Sequence, residues 1–532
     1  MKRFSKAVPA PRRVLPGALC LTALAGCALS PSTAATPAGT PAAKVVIAPD
    51  PGTARPPFEF SDDDNALLED VQHGCFNYLW SHVSPHTGMV YDRTSADLVS
   101  VAGVGFQLSA IPVGIKHGWI TEDQGRERCA RILSSLLAEP TNRVHGLYFH
   151  FLDDDARPHP EAYEHVVSTI DSALLFAGVI TASSYFGGEV ATLGDRILDE
   201  ADWHAFLATN ADHPAYTDFI TLGWRADDKH DPTRSGKLLK ATWADAGDEH
   251  KLVTFLAVSA PNPEHRVPPE TYYKLRRTLG DYPGVGVHVW LPYSGALFTV
   301  FFAQCWIDYA HLGVDHPAAF GQPARAQVDW WENGRRFAKL HEVMCKENPE
   351  GFKTLGGRAW GLSACDGPDG YLVAQLKPHL VAMPDARENY DVPPKAHLDD
   401  HPVWNGAVVA PYAAGGTVVF DPGPAIDALR YYRSLERADG TPLLWEDPSK
   451  GGWGFFDSYT LDTKSGEPWV APDRVAIDEG PLILLIENAR SGFVWDLFMS
   501  HPMVRAGMER LRLERGQKSA GDGSAANRTQ GG

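Results

Sequence analysis

Cysteine is scarce in this chain, with seven in 532 residues. Cys20 and Cys27 fall in the first thirty residues, and Cys75, Cys129, Cys305, Cys345 and Cys365 are widely spaced and odd in number. That set does not make a disulfide framework; buried thiols are expected, and an oxidising compartment would allow one bridge. No CxxC or HExxH spacing occurs and the 21 histidines show no ligand spacing, so no metal site and no cofactor are expected. Positive charge is also short: 48 Lys and Arg against 66 Asp and Glu leave a net charge of −18. Nucleic acid and an anionic lipid surface are poor partners for such a chain, whereas a neutral substrate suits it. Past the N-terminus no apolar run is read as long enough to span a membrane, and no fixed short repeat or second linker divides the chain.

The N-terminus itself is distinctive. Lys2, Arg3, Lys6, Arg12 and Arg13 precede a short apolar stretch, Val14 to Ala25, in the manner of a secretory signal. Leu24-Ala25-Gly26-Cys27 has the form of a lipobox, whose cysteine becomes the acylated first residue. The expected organisation is a signal over residues 1–27, a Pro/Ala/Thr-rich tether over 28–57, one domain over 58–513 and a polar tail over 514–532. A periplasmic location, with the membrane reached only through a lipid on Cys27, follows from that reading.

Helical periodicity recurs through the domain. Leu67, Leu68, Val71, Cys75, Tyr78 and Leu79 share one face behind the acidic Asp62-Asp63-Asp64, and Ile170, Leu174, Ala177 and Ile180 do the same within 168–185. Further helices are expected over 124–137, 252–258, 295–311, 327–346, 424–435 and 481–499, with short strands near 146–152 and 285–291. The connectors carry glycine, aromatics and acids together: Trp360 to Tyr371, Gly452 to Tyr459 with Trp453, Phe455 and Asp457, and Ala476 to Pro481. Sugar rings stack on aromatic faces and present hydroxyl rims to polar partners, so three such segments in one chain point to a glycan groove. Asp366-Gly367-Pro368-Asp369-Gly370 lacks the positions of an EF-hand loop and is not taken as a calcium site.

In order, Cys75 to Trp80, Thr87 to Arg93, Val104-Gly105-Phe106, Val113 to Ile120, Ser168 to Leu175, the Trp360 segment and Asp478 to Trp495 resemble the glycoamylase-like domain family. Characterised members of that family include bacterial endo-β-1,2-glucanases of glycoside hydrolase family 144. The resemblance runs from about Asp70 to Met503 and implies an all-α (α/α)6 toroid with short β elements in its loops. It also implies a glycoside hydrolase acting on a β-glucan, β-1,2-linked if the family guide holds.

Such hydrolysis needs one carboxyl that stays protonated and a second that activates water. The family position of the acid falls on Glu249, before an apolar helix where burial would raise its pKa. Asp478, read as preceding a helix that starts at Pro481, matches the family's acidic Gly-Pro segment and is the candidate base. Asp171 sits among apolar helical neighbours, where an unpaired carboxylate is costly, so it is a third catalytic candidate. Glu164, two turns earlier, joins Arg93, Trp360, Asp366, Tyr371, Trp453, Phe455, Asp457 and Glu479 as expected substrate contacts. Arg93 and Arg490 are expected to orient carboxylates. The β-1,2-glucanase pattern Asp-x-x-x-Asp-x-x-Glu is here Glu164, Ser168 and Asp171, and Trp404-Asn405-Gly406 replaces an Asp-Gly pair. Linkage and endo or exo mode therefore stay open, as do two alternatives: a transglycosylase that remodels glucans, and a glycan-binding lipoprotein without catalysis.

Overall fold

The computed structural model describes residues 45–515, apart from 161–164, 210–216, 229–230, 232, 234, 292–294, 374–380 and 383–406. Cys27, Glu164 and the Trp404–Gly406 segment lie outside the described residues. Helices follow in chain order as α1 (Asp62–Ser81), α2 (Val101–Lys116), α3 (Glu122–Ala138), α4 (Thr169–Phe186), α5 (Gly188–Glu200), α6 (Asp248–Ser259) and α7 (Glu270–Lys274). After these come α8 (Trp330–Glu347), α9 (Pro411–Gly416), α10 (Pro422–Arg433), α11 (Ala476–Ser491), α12 (Phe493–Ser500) and α13 (Pro502–Leu511).

Local chemistry sets several of the starts. Ser61 caps α1 and Asp64 reaches back to the Ser61 N–H; Thr121 and Gln124 make the same box on α3. Asp329 caps α8 by accepting from the Glu332 N–H, and Ser168 caps α4.

The helices form two layers. In the inner layer α2 packs on α4, α4 on α6, α6 on the 3-10 turns of Leu297–Val300 and Ala303–Cys305, α9 on α11, and α11 back on α2. Helices α1, α3, α5, α8 and α10 lie outside them. Inner helices are buried on nearly every side; α2 is covered from Val101 to Gly114. The α2–α4 contact is close because both surfaces are glycine: a Cβ on Gly105 would stand 2.1 Å from the Leu174 carbonyl oxygen, and one on Gly178 would stand 2.1 Å from that of Gly105. This is the closed helical toroid that the family resemblance implies.

Inner helices run in one direction. Gly103 and Phe106 near the start of α2 meet Ala476 and Gly480 near the start of α11. Asp171 on α4 acts electrostatically on Glu249 of α6, and Tyr412 on α9 touches Asp478 of α11. The N-termini of α2, α4, α6, α9 and α11 therefore gather at one end of the barrel, hereafter the mouth.

Three expectations are corrected. Residues 295–311 do not form one helix but three 3-10 turns, Leu297–Val300, Ala303–Cys305 and Tyr309–His311. The run Phe298-Thr299-Val300-Phe301-Phe302 is aromatic and β-branched, which disfavours continuous α-helix. The helix expected from Pro481 begins five residues earlier at Ala476 and breaks at Gly492, whose φ of 69° is left-handed. Thr169–Phe186 does meet the length and hydropathy of a membrane span, yet 89% of it is buried inside the barrel. Surrounded by protein on all sides, an inner helix is as apolar as one surrounded by lipid. Short strands do lie near the expected places, including Leu147–Tyr148, Phe151–Leu152 and His288–Val289, and Cys75, Cys129, Cys305, Cys345 and Cys365 are buried free thiols.

Candidate active site

Two groups of acids lie among the helix starts at the mouth. The first belongs to α4 and α6. Asp171, at the third position of α4, is buried, and its Oδ1 lies 3.5 Å from His150 Nε2. Glu249, at the second position of α6, is walled in by protein but keeps an opening to solvent. Its pKa is pushed up to about 8 by burial, helped by the negative charges of Asp171 and Asp248. A carboxyl in that state carries a proton at neutral pH and can give it away. Asp248 itself turns inward, pairs with Lys251 at 2.7 Å and accepts from the Ala303 N–H, a structural role.

The second group belongs to α11 and the loops around it. Asp478 is buried at the third position of α11, with the Tyr412 hydroxyl and the Asp457 carboxyl against it. Burial first, and the Asp457 charge second, hold its pKa well above the carboxylate range. The same two effects, burial and the Asp366 charge, push Asp457 up to about 7. Asp457 Oδ2 accepts from the Asp366 N–H at 2.6 Å, and Asp366 Oδ1 accepts from Arg93 Nη1 at 3.1 Å. Arg93 also meets Asp92 at 3.3 Å and Asp473 at 3.7 Å, so it neutralises carboxylates, as its sequence context suggested.

The substrate contacts expected from the sequence divide. Tyr371 sits half-buried opposite Asp366 on a two-stranded hairpin, 6.0 Å from the Arg93 guanidinium. Trp453 is half-buried, edge-on to Tyr78 and near His82, with its indole N–H on Ser81 Oγ at 3.2 Å. Trp360 and Phe455 are core residues instead. Trp360 is 1% exposed, its backbone N–H and C=O both engaging the Tyr432 hydroxyl, and Phe455 is wedged against Trp445 and Tyr432. Neither offers a ring face to a sugar; each packs a loop onto outer helix α10. Glu479 turns away from Asp478 onto Cys75 of α1 and is held protonated, with a pKa of about 8, chiefly by burial. It too is buried structure rather than groove lining. Arg490 pairs with Glu69 at 2.8 Å, far from the mouth.

Two residues at the mouth escaped the sequence reading. His150 bears on Asp171 from a strand turn that carries no motif, and its Nδ1 is buried without a partner. Tyr412 was legible only indirectly: Pro411 marks the first position of α9, which places the next residue at the mouth. Among the described residues no group of three or more His, Cys, Asp or Glu side chains is arranged to hold a metal ion. Asp366–Gly370 is a tight hairpin turn, with Gly367 opposite Gly370.

Known proteins share this fold. A family model described as "Putative glucoamylase" matches residues 242–502, the stretch that supplies α6, α9, α11 and the Asp478 group. Over that stretch the chain is similar to the glucoamylase family that the model describes. A structure of the same description from Bacteroides uniformis superposes with a TM-score of 0.67 at 25% identity, covering 85% of this chain and 98% of that one. The endo-β-1,2-glucanase of Chitinophaga pinensis, solved with sophorotriose and glucose, shares the fold with a TM-score of 0.65 at 22% identity, over 85% of this chain and 98% of its own. A curated relative, the exo β-1,2-glucooligosaccharide sophorohydrolase (non-reducing end) of Parabacteroides distasonis, is 25% identical over 484 residues. That alignment takes in 84% of this chain and 58% of the relative, so this chain spans less than two thirds of that protein's length.

Proposed function

We propose that this chain is an inverting glycoside hydrolase acting on β-1,2-linked glucan, exported and moored by a lipid on Cys27. The observation that carries the hydrolase reading is the pairing at the mouth of a protonated Glu249 with a separate group of carboxyls around Asp478. Glu249 protonates the leaving glycosidic oxygen. Asp171, whose charge helps to keep that proton in place, positions the acid, and Asp478 takes the proton from the attacking water. The β-1,2 linkage is inferred from what the sophorohydrolase relative and the Chitinophaga enzyme act on. The lipid mooring rests on the lipobox and the charged and apolar segments before it.

Incubation with linear and cyclic β-1,2-, β-1,3- and β-1,4-glucans, with products separated and their anomeric form followed by NMR, tests the class. Release of short β-1,2-linked products in the α configuration is expected. Transfer products would favour the transglycosylase, and no turnover would favour a binding protein. Glu249→Gln keeps the shape and removes the transferable proton, so turnover should fall by ~10²–10⁴-fold with substrate binding retained. Near-normal turnover in that variant would pass the acid role to another carboxyl.

A further inference from the structure

Asp457 and Asp478 press two carboxyls together with little exposure to solvent. Asp457 is 5% exposed and Asp478 3%. Oxygen Oδ1 of Asp457 and Oδ2 of Asp478 are both fully buried, and neither has a hydrogen-bond donor, although the two side chains lie within hydrogen-bond contact of each other. Two buried carboxyls in contact, each with an oxygen that finds no donor, repel strongly unless a proton joins them. The other contacts of the pair are accounted for. Asp457 Oδ2 is held by the Asp366 N–H, Tyr412 bears on Asp478, and Ser458 Oγ ties down the Asp366 carbonyl at 2.5 Å.

The charged and titratable groups around the pair come from every neighbouring element. Asp366 and Cys365 approach from the hairpin, Arg93 with Asp92 from the loop before α2, Asp473 from the loop before α11, Tyr412 from α9 and Glu479 from α11 itself. Arg93, the cation among these, is already engaged by three carboxylates. It has no capacity to balance a second full charge on the pair.

We propose that Asp457 and Asp478 share one proton between Asp457 Oδ1 and Asp478 Oδ2, and that Asp457 is a positioning residue which sets the pH at which Asp478 accepts a proton. This rests on the assignment of Asp478 as base. In the singly protonated pair, Asp457 donates to Asp478 and one negative charge is spread over both. As water attacks C1, its O–H bond breaks toward Asp478 and the new C1–O bond forms. The glycosidic C1–O bond breaks with its electron pair on the leaving oxygen, which takes the proton of Glu249. The pair ends doubly protonated and neutral, Glu249 ends anionic, and exchange with solvent returns both to the starting state. The two protons of the pair titrate as a unit rather than as two separate acids.

The test is the pH profile of kcat/KM on linear β-1,2-glucan for Asp457→Asn and Asp457→Leu, beside Asp478→Asn. The amide of Asp457→Asn donates to Asp478 as a protonated Asp457 would. Its turnover should fall by no more than about tenfold, with the acidic limb of the profile unmoved. Asp457→Leu removes the donor, so the acidic limb should move up by about one unit or more, with kcat reduced and KM little changed. If Asp457 is instead an ordinary anion, Asp457→Asn removes a repelling charge and the acidic limb moves down by about a unit or more; that result overturns the proposal. An unmoved limb in folded Asp457→Leu overturns it as well, and should that variant fail to fold, the Asn profile still decides. Full activity in Asp478→Asn would reject the base assignment itself, a different outcome from any of these.

Discussion

Helix α11 carries acids at both ends, and the two ends treat them in opposite ways. At the mouth, burial and the neighbouring Asp457 push the Asp478 carboxyl well above the carboxylate range, and burial pushes Glu479 up to about 8. Two to three turns later, at the far end of the barrel, Glu487 is held ionised, well below the usual carboxylate range. Burial alone would raise Glu487 too, but hydrogen bonds from His117 and the charge of Lys116 outweigh it, with Ser491 and Gln72 filling its remaining contacts. The helix dipole predicts the reverse at each end, since it favours negative charge at the N-terminus. It is worth about 0.3–1 kcal/mol, less than one pKa unit, so the presence or absence of counter-charges decides. The far end is a satisfied structural network. At the mouth Glu249 is set against Asp171 and Asp248, and Asp478 against Asp457; under the proposed mechanism that crowding of like charge is what makes proton transfer available.

The sharpest way to break this comparison is to exchange the consequences. Glu249→Gln should cost activity, as stated above, and leave stability equal or improved, because it relieves a buried acid of its neighbours' repulsion. Glu487→Ala should do the opposite, leaving Lys116 and His117 without their shared partner. A loss on the order of 3 kcal/mol is expected in chemical denaturation, the half-exposed Lys116 keeping it at the low end, with kcat of the folded fraction unchanged. A stability loss for Glu249→Gln as large as that for Glu487→Ala would dissolve the distinction between the two ends.

A smaller effect is expected in the pH dependence of stability. The folded-state pKa values of Glu249 and Glu479 lie above their unfolded values. Their contribution is therefore complete below about 4.5 and is lost as pH rises through about 8. Glu487 is depressed, so its contribution is present above about 4.5 and lost as pH falls; His117, raised to about 8, contributes below about 6.5 and loses that as pH rises through about 8. Melting temperature measured from pH 4 to 9 should show a shallower alkaline decline in Glu249→Gln and a shallower acid decline in Glu487→Gln. Parallel curves for both variants would refute the assignment. The smallest effect is that of a chelator: exhaustive EDTA treatment should leave glucan hydrolysis unchanged, since hydrolysis by a carboxyl acid and base needs no metal.

Periodic segments were legible because amphipathic spacing survives without knowledge of neighbours. The α1 face from Leu67 to Leu79 and the Ser168 start of α4 fall where the pattern placed them. The 3-10 turns after Ala296 were not legible, since an apolar aromatic run looks the same whether it coils as α or 3-10. The site divides along the same line. Glu249 and Asp478 were proposed from motif position and lie at the starts of α6 and α11, whereas Trp360 and Phe455 are core residues, because Trp-Gly and Gly-Phe segments pack helix ends and line grooves with equal ease. Which one a given ring does depends on a partner such as Tyr432, seventy-two residues from Trp360 in the chain. The proton-sharing oxygens of Asp457 and Asp478 were invisible for the same reason.

The segment before α1 crosses the end of the barrel opposite the mouth. Val46–Ile47 pairs in parallel with Gln327–Val328, Arg55 reaches Asp329 at the start of α8, and the Phe58 N–H bonds the Ala489 carbonyl near the end of α11. Under the lipid-mooring proposal, the stretch 28–44 can reach at most roughly 60 Å from the lipid and joins the chain at the rear of the barrel. A body tied at its rear hangs with its opening toward the aqueous space. Polymer strands diffusing there would meet the cleft directly, without having to thread between protein and bilayer.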